Sequence, residues 1–305
     1  MIFNISREFK FSNFYKKFNI FSISLIFLSI LILLFKGLNF GVDFKGGTLI
    51  EIRSENININ ISDIRQSLLK MNLGDVNVKK FGNENDYLIK IEKTKTNDPN
   101  FIKFINEQLI SDLNSPVNFR RVENVGPKVS QELLNAGMLA ITLSLAAMLF
   151  YIWIRFEWQF SLGAIIAIIH DVIITLGIFS FLSYEINLSI VAAVLTIVGY
   201  SMNDTVVIFD RVRENLKKYT KIPISDISNM STHDTLSRTL ITSLTTLLAL
   251  FSIYIFGGEI LKGFSFAMII GVIVGSYSSI FVATPILNYT NVSYKTISKE
   301  NIENN

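Results

Sequence analysis

The sequence predicts an α-helical polytopic membrane protein with six transmembrane helices, plus an α+β ferredoxin-like domain (βαββαβ) inserted after the first of them. Three observations predict this. Of the 305 residues, 50% are hydrophobic and only 17% charged. The apolar residues gather into six stretches of about twenty, each able to cross a core of about 30 Å at about 1.5 Å per residue. Between the first and second stretches, residues 41–132 carry 13 basic and 13 acidic side chains in balance, as a water-exposed folded domain would.

The six spans are read at 19–35, 133–154, 160–181, 186–209, 239–256 and 263–287. A basic N-terminus, residues 1–18 with Arg7, Lys10, Lys16 and Lys17, precedes the first. No small-residue cleavage site follows that span, which leaves through Lys36, Gly37 and Leu38, so 19–38 reads as a retained anchor. Residues 39–132 form the external domain. Within it 48–53 alternates as a strand, and 62–71 has helical spacing with Ser62 or Asp63 as its cap. Residues 76–79 and 87–91 alternate again, joined by a turn at 82–86. Pro99 opens a second helix to Leu113 with Phe101, Phe104, Ile105 and Leu109 on one face, and 117–122 closes the set. That order is the ferredoxin-like split unit.

Five spans make up 133–287, with a cytoplasmic loop at 210–238 and a polar, disordered tail within 288–305. Part of that loop, 217–236, reads either as a helix lying on anionic lipid or as an ordinary basic loop. Arg155 follows the second span, and Arg211, Arg213, Lys217, Lys218 and Lys221 follow the fourth; the opposite turns are poor in lysine and arginine. The positive-inside rule then puts both termini in the cytoplasm and the external domain outside.

Charged residues inside the spans are the candidate functional groups, because a carboxylate at membrane depth costs about 2.5–3.5 kcal/mol on insertion scales. Asp204 lies near the cytoplasmic end of the fourth span, beside the Asn203 amide, with Ser201 and Thr205 on its side of the helix. Arg238 opens the fifth span above a stripe of small or hydroxylic residues, Thr242, Thr245, Ala249 and Ser252. Antiparallel neighbours would bring Asp204 and Arg238 together. Two readings stand: a proton-accepting carboxylate with a switchable counter-charge, or two side chains snorkelling to the interface. His170 and Asp171 sit near the middle of the third span, as either a second titrating station or a polar clamp between helices. The charges at 210–214 read as an exposed helix end. Gly46, Gly47, Gly126 and Pro127 flank the external domain, as hinges or as simple connectors. Gly271, Gly275 and Ser279 suit close helix packing, and Pro285 kinks or ends the last span.

There is no cysteine, so no thiolate metal site or disulfide exists. Only two histidines are present, which argues against a metal centre. No phosphate-binding GxxxxGK[ST], HExxH or GxSxG motif occurs, and no basic-aromatic groove suggests nucleic acid.

Several stretches, in order and at matching spacing, resemble the SecF branch of the SecD/SecF family of protein-export membrane subunits. They are Gly41 to Thr48, Val125 to Val129 with Glu132 and Leu133, Arg155 to Trp158, His170 to Gly177, Gly199 to Asp204, Asp210 to Asn215, and Arg238 to Ser243. Ser130 departs from the usual glycine, which bears on the flexibility of that junction. The resemblance implies half of an RND-type transporter, paired with SecD in the bacterial plasma membrane. It implies a non-enzymatic subunit that helps the SecYEG translocon move preprotein with the proton-motive force, with protons as coupling ion and no cofactor. It also implies that Asp204 and Arg238 lie on the proton path. Two rival readings are an RND-like exporter of a lipid or small amphiphile, which would want a larger external domain, and a purely structural subunit.

Overall fold

The computed structural model describes residues 9–56, 59–74, 76–80, 85–91 and 99–298. In chain order the elements are a 3-10 turn (Phe11–Phe14), α1 (Tyr15–Lys36), β1 (Asn39–Phe40), α2 (Val42–Lys45), β2 (Gly47–Ser54), α3 (Ile61–Lys70), β3 (Val76–Lys80), β4 (Asp86–Ile91), α4 (Pro99–Leu113), β5 (Val117–Val125) and α5 (Pro127–Arg155). Then follow α6 (Trp158–Leu182), β6 (Glu185–Ile186), α7 (Leu188–Lys218), α8 (Ile224–Phe256), α9 (Glu259–Ser278), a π turn (Ser279–Ala283), α10 (Thr284–Tyr289) and α11 (Tyr294–Ser298). They group into two compact units: residues 39–139 with 185–188, and the remainder.

The larger unit is helical. Among the described residues six helical segments are long and apolar enough to cross a membrane. Phe156, Phe160 and Phe209 meet edge-on or stacked in its core, with centroids 5.2–6.1 Å apart. The first, second and fifth segments keep most of their apolar surface outward, as in Leu34, Phe35, Trp153, Leu248 and Phe256. Such a surface suits lipid or other membrane helices.

Two expectations fail here. The loop placed at 210–238 is mostly helix: α7 continues to Lys218, the chain reverses over 219–223, and α8 starts at Ile224 behind Pro223. The charges that mark the end of an apolar stretch locate a membrane boundary, and a helix need not stop there. Instead Ile227, Ser231 and Thr235 bury one face of α8, and Asn215 of α7 donates to the Ser231 hydroxyl at 2.9 Å. The polar tail is also partly packed. Val292 and Ile297 are buried, and 294–298 is helical. The remainder of that tail, 299–305, lies outside the described residues, as does Arg7.

The smaller unit holds a four-stranded sheet in the order β3-β4-β2-β5, every neighbouring pair antiparallel. Alternation puts Ile50, Ile52, Ile89 and Ile91 on one face, where they pack with Ile64 and Leu68 of α3 and Ile105 and Leu109 of α4. The register slips between Glu51 and Ile52 opposite β5, a β-bulge. The cap of α3 is not Ser62 or Asp63: Asn60 is the N-cap, and its N–H donates to the Asp63 carboxylate at 3.0 Å, a reciprocal capping box. Of the turn expected at 82–86, residues 82–84 lie outside the described ones. A second, two-stranded parallel sheet pairs β1 with β6, Asn39 opposite Glu185 and Phe40 opposite Ile186. Sequence alternation is silent on pairs this short.

Tyr87 ties this unit's core to its loop, its hydroxyl donating to the Ile59 carbonyl at 2.5 Å. Burial pushes the phenol above its ordinary value of 10.0. A raised phenol contributes stability that is complete below pH ~10 and is lost as pH rises through the folded value. Tyr87→Phe is expected to cost about 1 kcal/mol at neutral pH and to flatten the alkaline loss, as read by thermal unfolding of the full chain at pH 8 and pH 11.

Candidate functional site

Among the described residues of the helical unit three carboxylates are buried, Glu157, Asp171 and Asp204, and the two aspartates lie inside membrane-length helices. Asp171, on α6, is fully buried. Its Oδ1 lies 2.7 Å from His170 Nδ1. Its Oδ2 accepts from the Ser201 hydroxyl of α7 at 2.5 Å and the Ser278 hydroxyl of α9 at 2.8 Å. One side chain therefore joins three helices, and adjacent His170 and Asp171 bond each other although they leave the helix in different directions. His170 stacks on Tyr277 with ring centroids 6.0 Å apart. The Tyr277 hydroxyl in turn donates to the Phe18 carbonyl of α1 at 3.0 Å and meets Ser22 at 2.8 Å.

The π turn makes this grip possible. Pro285 has no N–H to give back to the preceding turn. The Ser279 carbonyl accepts both the Thr284 N–H, the π-turn bond, and the Thr284 hydroxyl, the latter at 2.7 Å. Just where the helix widens, consecutive residues reach different partners: Ser278 meets Asp171 and Ser279 meets Thr205 of α7 at 2.8 Å. Gly271 and Gly275 let α7 approach. A Cβ at Gly275 would lie 3.2 Å from the Ser201 Cα, and one at Gly271 would run into Ile197.

Asp204, 3% exposed, is held more loosely. The Ser276 hydroxyl of α9 reaches its Oδ2 at 3.5 Å, and Ser276 meets the Ser243 hydroxyl of α8 at 2.7 Å. The Asn203 amide also lies beside it. Arg238 is exposed and close enough to act on Asp204 through charge, yet no ion pair joins them. The expected meeting of the two is thus replaced by a hydroxyl chain from α7 through α9 to α8. Tyr200 of α7 donates to Thr246 of α8 at 3.4 Å, so α7 and α8 are neighbours.

The charges at 210–214 form ion pairs: Arg211 with Glu214 and Asp234 at 2.7 and 2.8 Å, Arg155 with Asp210 at 2.8 Å, and Arg213 with Glu157 at 3.2 Å. The glycines flanking the smaller unit come together. Gly46 has φ +80, and a Cβ there would lie 3.3 Å from the Val125 carbonyl and 3.6 Å from the Pro127 Cα. Gly47, with φ 138, starts β2, and the Gly126 carbonyl accepts from the Ser130 N–H at 3.0 Å as Pro127 opens α5. Ser130 is buried, its hydroxyl within 3.4 Å of the Val42 carbonyl.

Sequence reasoning passed over Ser276, Tyr277, Ser278 and Ser22. The available signal was a run of four hydroxyl-bearing residues, 276–279, inside an apolar span. It is ambiguous because serine can return its bond to its own helix, as Ser278 also does to the Gly275 carbonyl at 3.1 Å.

Comparison with known proteins agrees along nearly the whole chain. The family described as protein export membrane protein SecD/SecF, C-terminal, matches residues 105–293, and the SecD/SecF GG motif matches 31–56. A protein translocase subunit SecF from Rickettsia bellii is 46% identical over 284 residues, 92% of each chain. One from Cereibacter sphaeroides is 42% identical over 281 residues, 89% of this chain and 86% of that one. The crystal structure of SecDF from Thermus thermophilus, described as a translocon-associated membrane protein, superposes with a TM-score of 0.83 at 32% identity. It covers 93% of this chain, which spans only 39% of that one. With six membrane-length helices and relatives of this closeness, the chain is a multi-pass membrane protein belonging to the SecD/SecF family of protein-export membrane proteins.

Proposed function

We propose that this chain is a non-enzymatic accessory subunit of the Sec protein translocase, in which Asp204 takes up and releases the coupling proton. The observation that carries this reading is the contrast between the two acids. Asp171 is saturated by three side-chain partners, which suits a clamp. Asp204 is buried with a long hydrogen bond from Ser276, the Asn203 amide beside it, and a nearby guanidinium with which it forms no ion pair. Neutralising Asp204 would turn it from acceptor to donor towards Ser276 and release its attraction for Arg238. That would rearrange the Ser276–Ser243 link between α9 and α8. One charge crossing 100 mV supplies about 2.3 kcal/mol, enough to shift a two-state equilibrium about fiftyfold.

The finer reading follows the family. The chain works with a SecD-type six-span partner as the other half of an RND-like arrangement, beside SecYEG in the bacterial plasma membrane. The basic flanks support cytoplasmic termini. The βαββαβ order and the β3-β4-β2-β5 sheet support a ferredoxin-like domain, which the basic flanks would put on the periplasmic side.

The test is reconstitution of the chain with its SecD-type partner and SecYEG, with an imposed proton gradient. Asp204→Asn is expected to remove the gradient's stimulation of preprotein export. Stimulation equal to that of the unmodified chain would overturn the coupling role.

A further inference from the structure

Segment 41–47, between β1 and β2, grips the chain that leads into α7. The Gly41 N–H donates to the Ile186 carbonyl at 2.8 Å. A Cβ at Gly41 would lie 2.7 Å from Glu185 Oε1 and 3.2 Å from the Ile186 carbonyl, so any larger residue would push on both the Glu185 side chain and the β6 backbone. Asp43 Oδ2 accepts from the backbone N–H of Leu188 at 2.9 Å. Leu188 is the first residue of α7, and its N–H is among those a helix cannot satisfy internally. A carboxylate there also faces the positive end of the helix dipole. From the sheet, the Lys90 ammonium of β4 donates to the Phe40 carbonyl at 3.3 Å and lies 3.6 Å from Glu185 Oε1. The two charged side chains are only 12% and 29% exposed, so the pair is better shielded than a surface bridge. Residues 185–188 accordingly belong to the same compact unit as the sheet.

We propose that Asp43, Lys90 and Glu185 form a coupling strap by which the external domain holds the start of the helix that carries Asp204. This rests on the proton-coupled reading above and adds to it the residues that pass movement outward. These are positioning residues, and none of them meets the proton. The β1–β6 pair supplies the backbone of the strap, the Asp43 carboxylate fixes it to the first turn of α7, and Lys90 fixes it to the sheet.

The experiment uses the full chain reconstituted with its SecD-type partner and SecYEG. It reads the ratio of export with a proton gradient to export without one, so that differences in amount of complex cancel. Lys90→Glu and Glu185→Lys are each expected to lower the ratio at least threefold, and the double exchange to recover most of it. Asp43→Ala is expected to lower the ratio similarly, while Asp43→Asn, whose side-chain oxygen still accepts from Leu188, keeps it. Single variants with an undiminished ratio, or a double exchange that recovers nothing, overturn the strap; so does Asp43→Ala behaving as Asp43→Asn does. Asp204→Asn run alongside separates the two claims. If it keeps the stimulation, the proton reading fails. If it loses stimulation while the strap variants keep theirs, only the strap fails.

Discussion

Asp171→Ala is expected to lower the stability of the helical unit by about 2–4 kcal/mol. The substitution takes the carboxylate partner from the His170 imidazole and the Ser201 and Ser278 hydroxyls, all buried, of which Ser278 keeps its bond to the Gly275 carbonyl. Leaving a buried group unsatisfied costs about 1–3 kcal/mol in water-soluble cores. Between membrane helices the average is nearer 0.6 kcal/mol, because the separated helices find other partners. Three such losses on one side chain still make a large effect. Thermal unfolding in detergent measures it, and a loss under about 1 kcal/mol would show that the contacts are not cooperative. Asp171→Asn is the informative companion. Its amide oxygen can accept from both serines while its NH₂ donates to His170 in the other tautomer. Near-normal stability together with near-normal gradient-stimulated export is the outcome expected of a clamp. Near-normal stability with lost stimulation would make Asp171 a second proton station and overturn that assignment.

Gly177→Leu is expected to displace α1 from the bundle. A Cβ at Gly177 would lie 2.9 Å from the Ser29 Cα and press into its side chain, so backbone, not a flexible side-chain end, is in the way. Ser22 and Ser29 form the buried small-residue face of α1 at this contact. Even Gly177→Ala should cost about 1–3 kcal/mol through overpacking, partly offset by alanine's better helix propensity of about 1 kcal/mol. The leucine variant should cost more, and the added bulk should also break the Ser180 hydroxyl's bond to the Gly37 carbonyl. Unfolding midpoints in detergent check the order glycine, alanine, leucine. A second change, Ser29→Gly, should recover part of the alanine loss; a Gly177→Ala chain as stable as the original would show that α1 does not pack as described.

The spans and the strands of the smaller unit were readable because both report solvent. A run of apolar residues must be hidden from water, and an alternating run must hide one side, so residue types alone mark 160–181 or 48–53. The same logic misplaces helix ends. The charges around 210–221 mark where the apolar stretch stops, but α8 begins at Ile224 because Ile227, Ser231 and Thr235 bury against protein.

Asp204, Asp171 and His170 stand out in the sequence as candidates from the cost of charge at depth. Which of them meet does not. Membrane sequence says little about which polar face turns inward, because a serine can satisfy itself on its own helix. Asp204 therefore reaches Ser276 rather than Arg238, and Asp171 collects Ser201 and Ser278 from two other helices. Likewise the role of segment 41–47 depends on residues 185–188, about 140 positions away. Composition and periodicity alone established the class of protein, its six membrane-length apolar stretches and its expensive acids, since those follow from transfer between water and lipid. The partners of those acids, the widening of the last span at Ser279–Ala283 and the strap on α7 needed the folded chain. They are set by contacts between distant segments, for which local sequence carries no energetic signature.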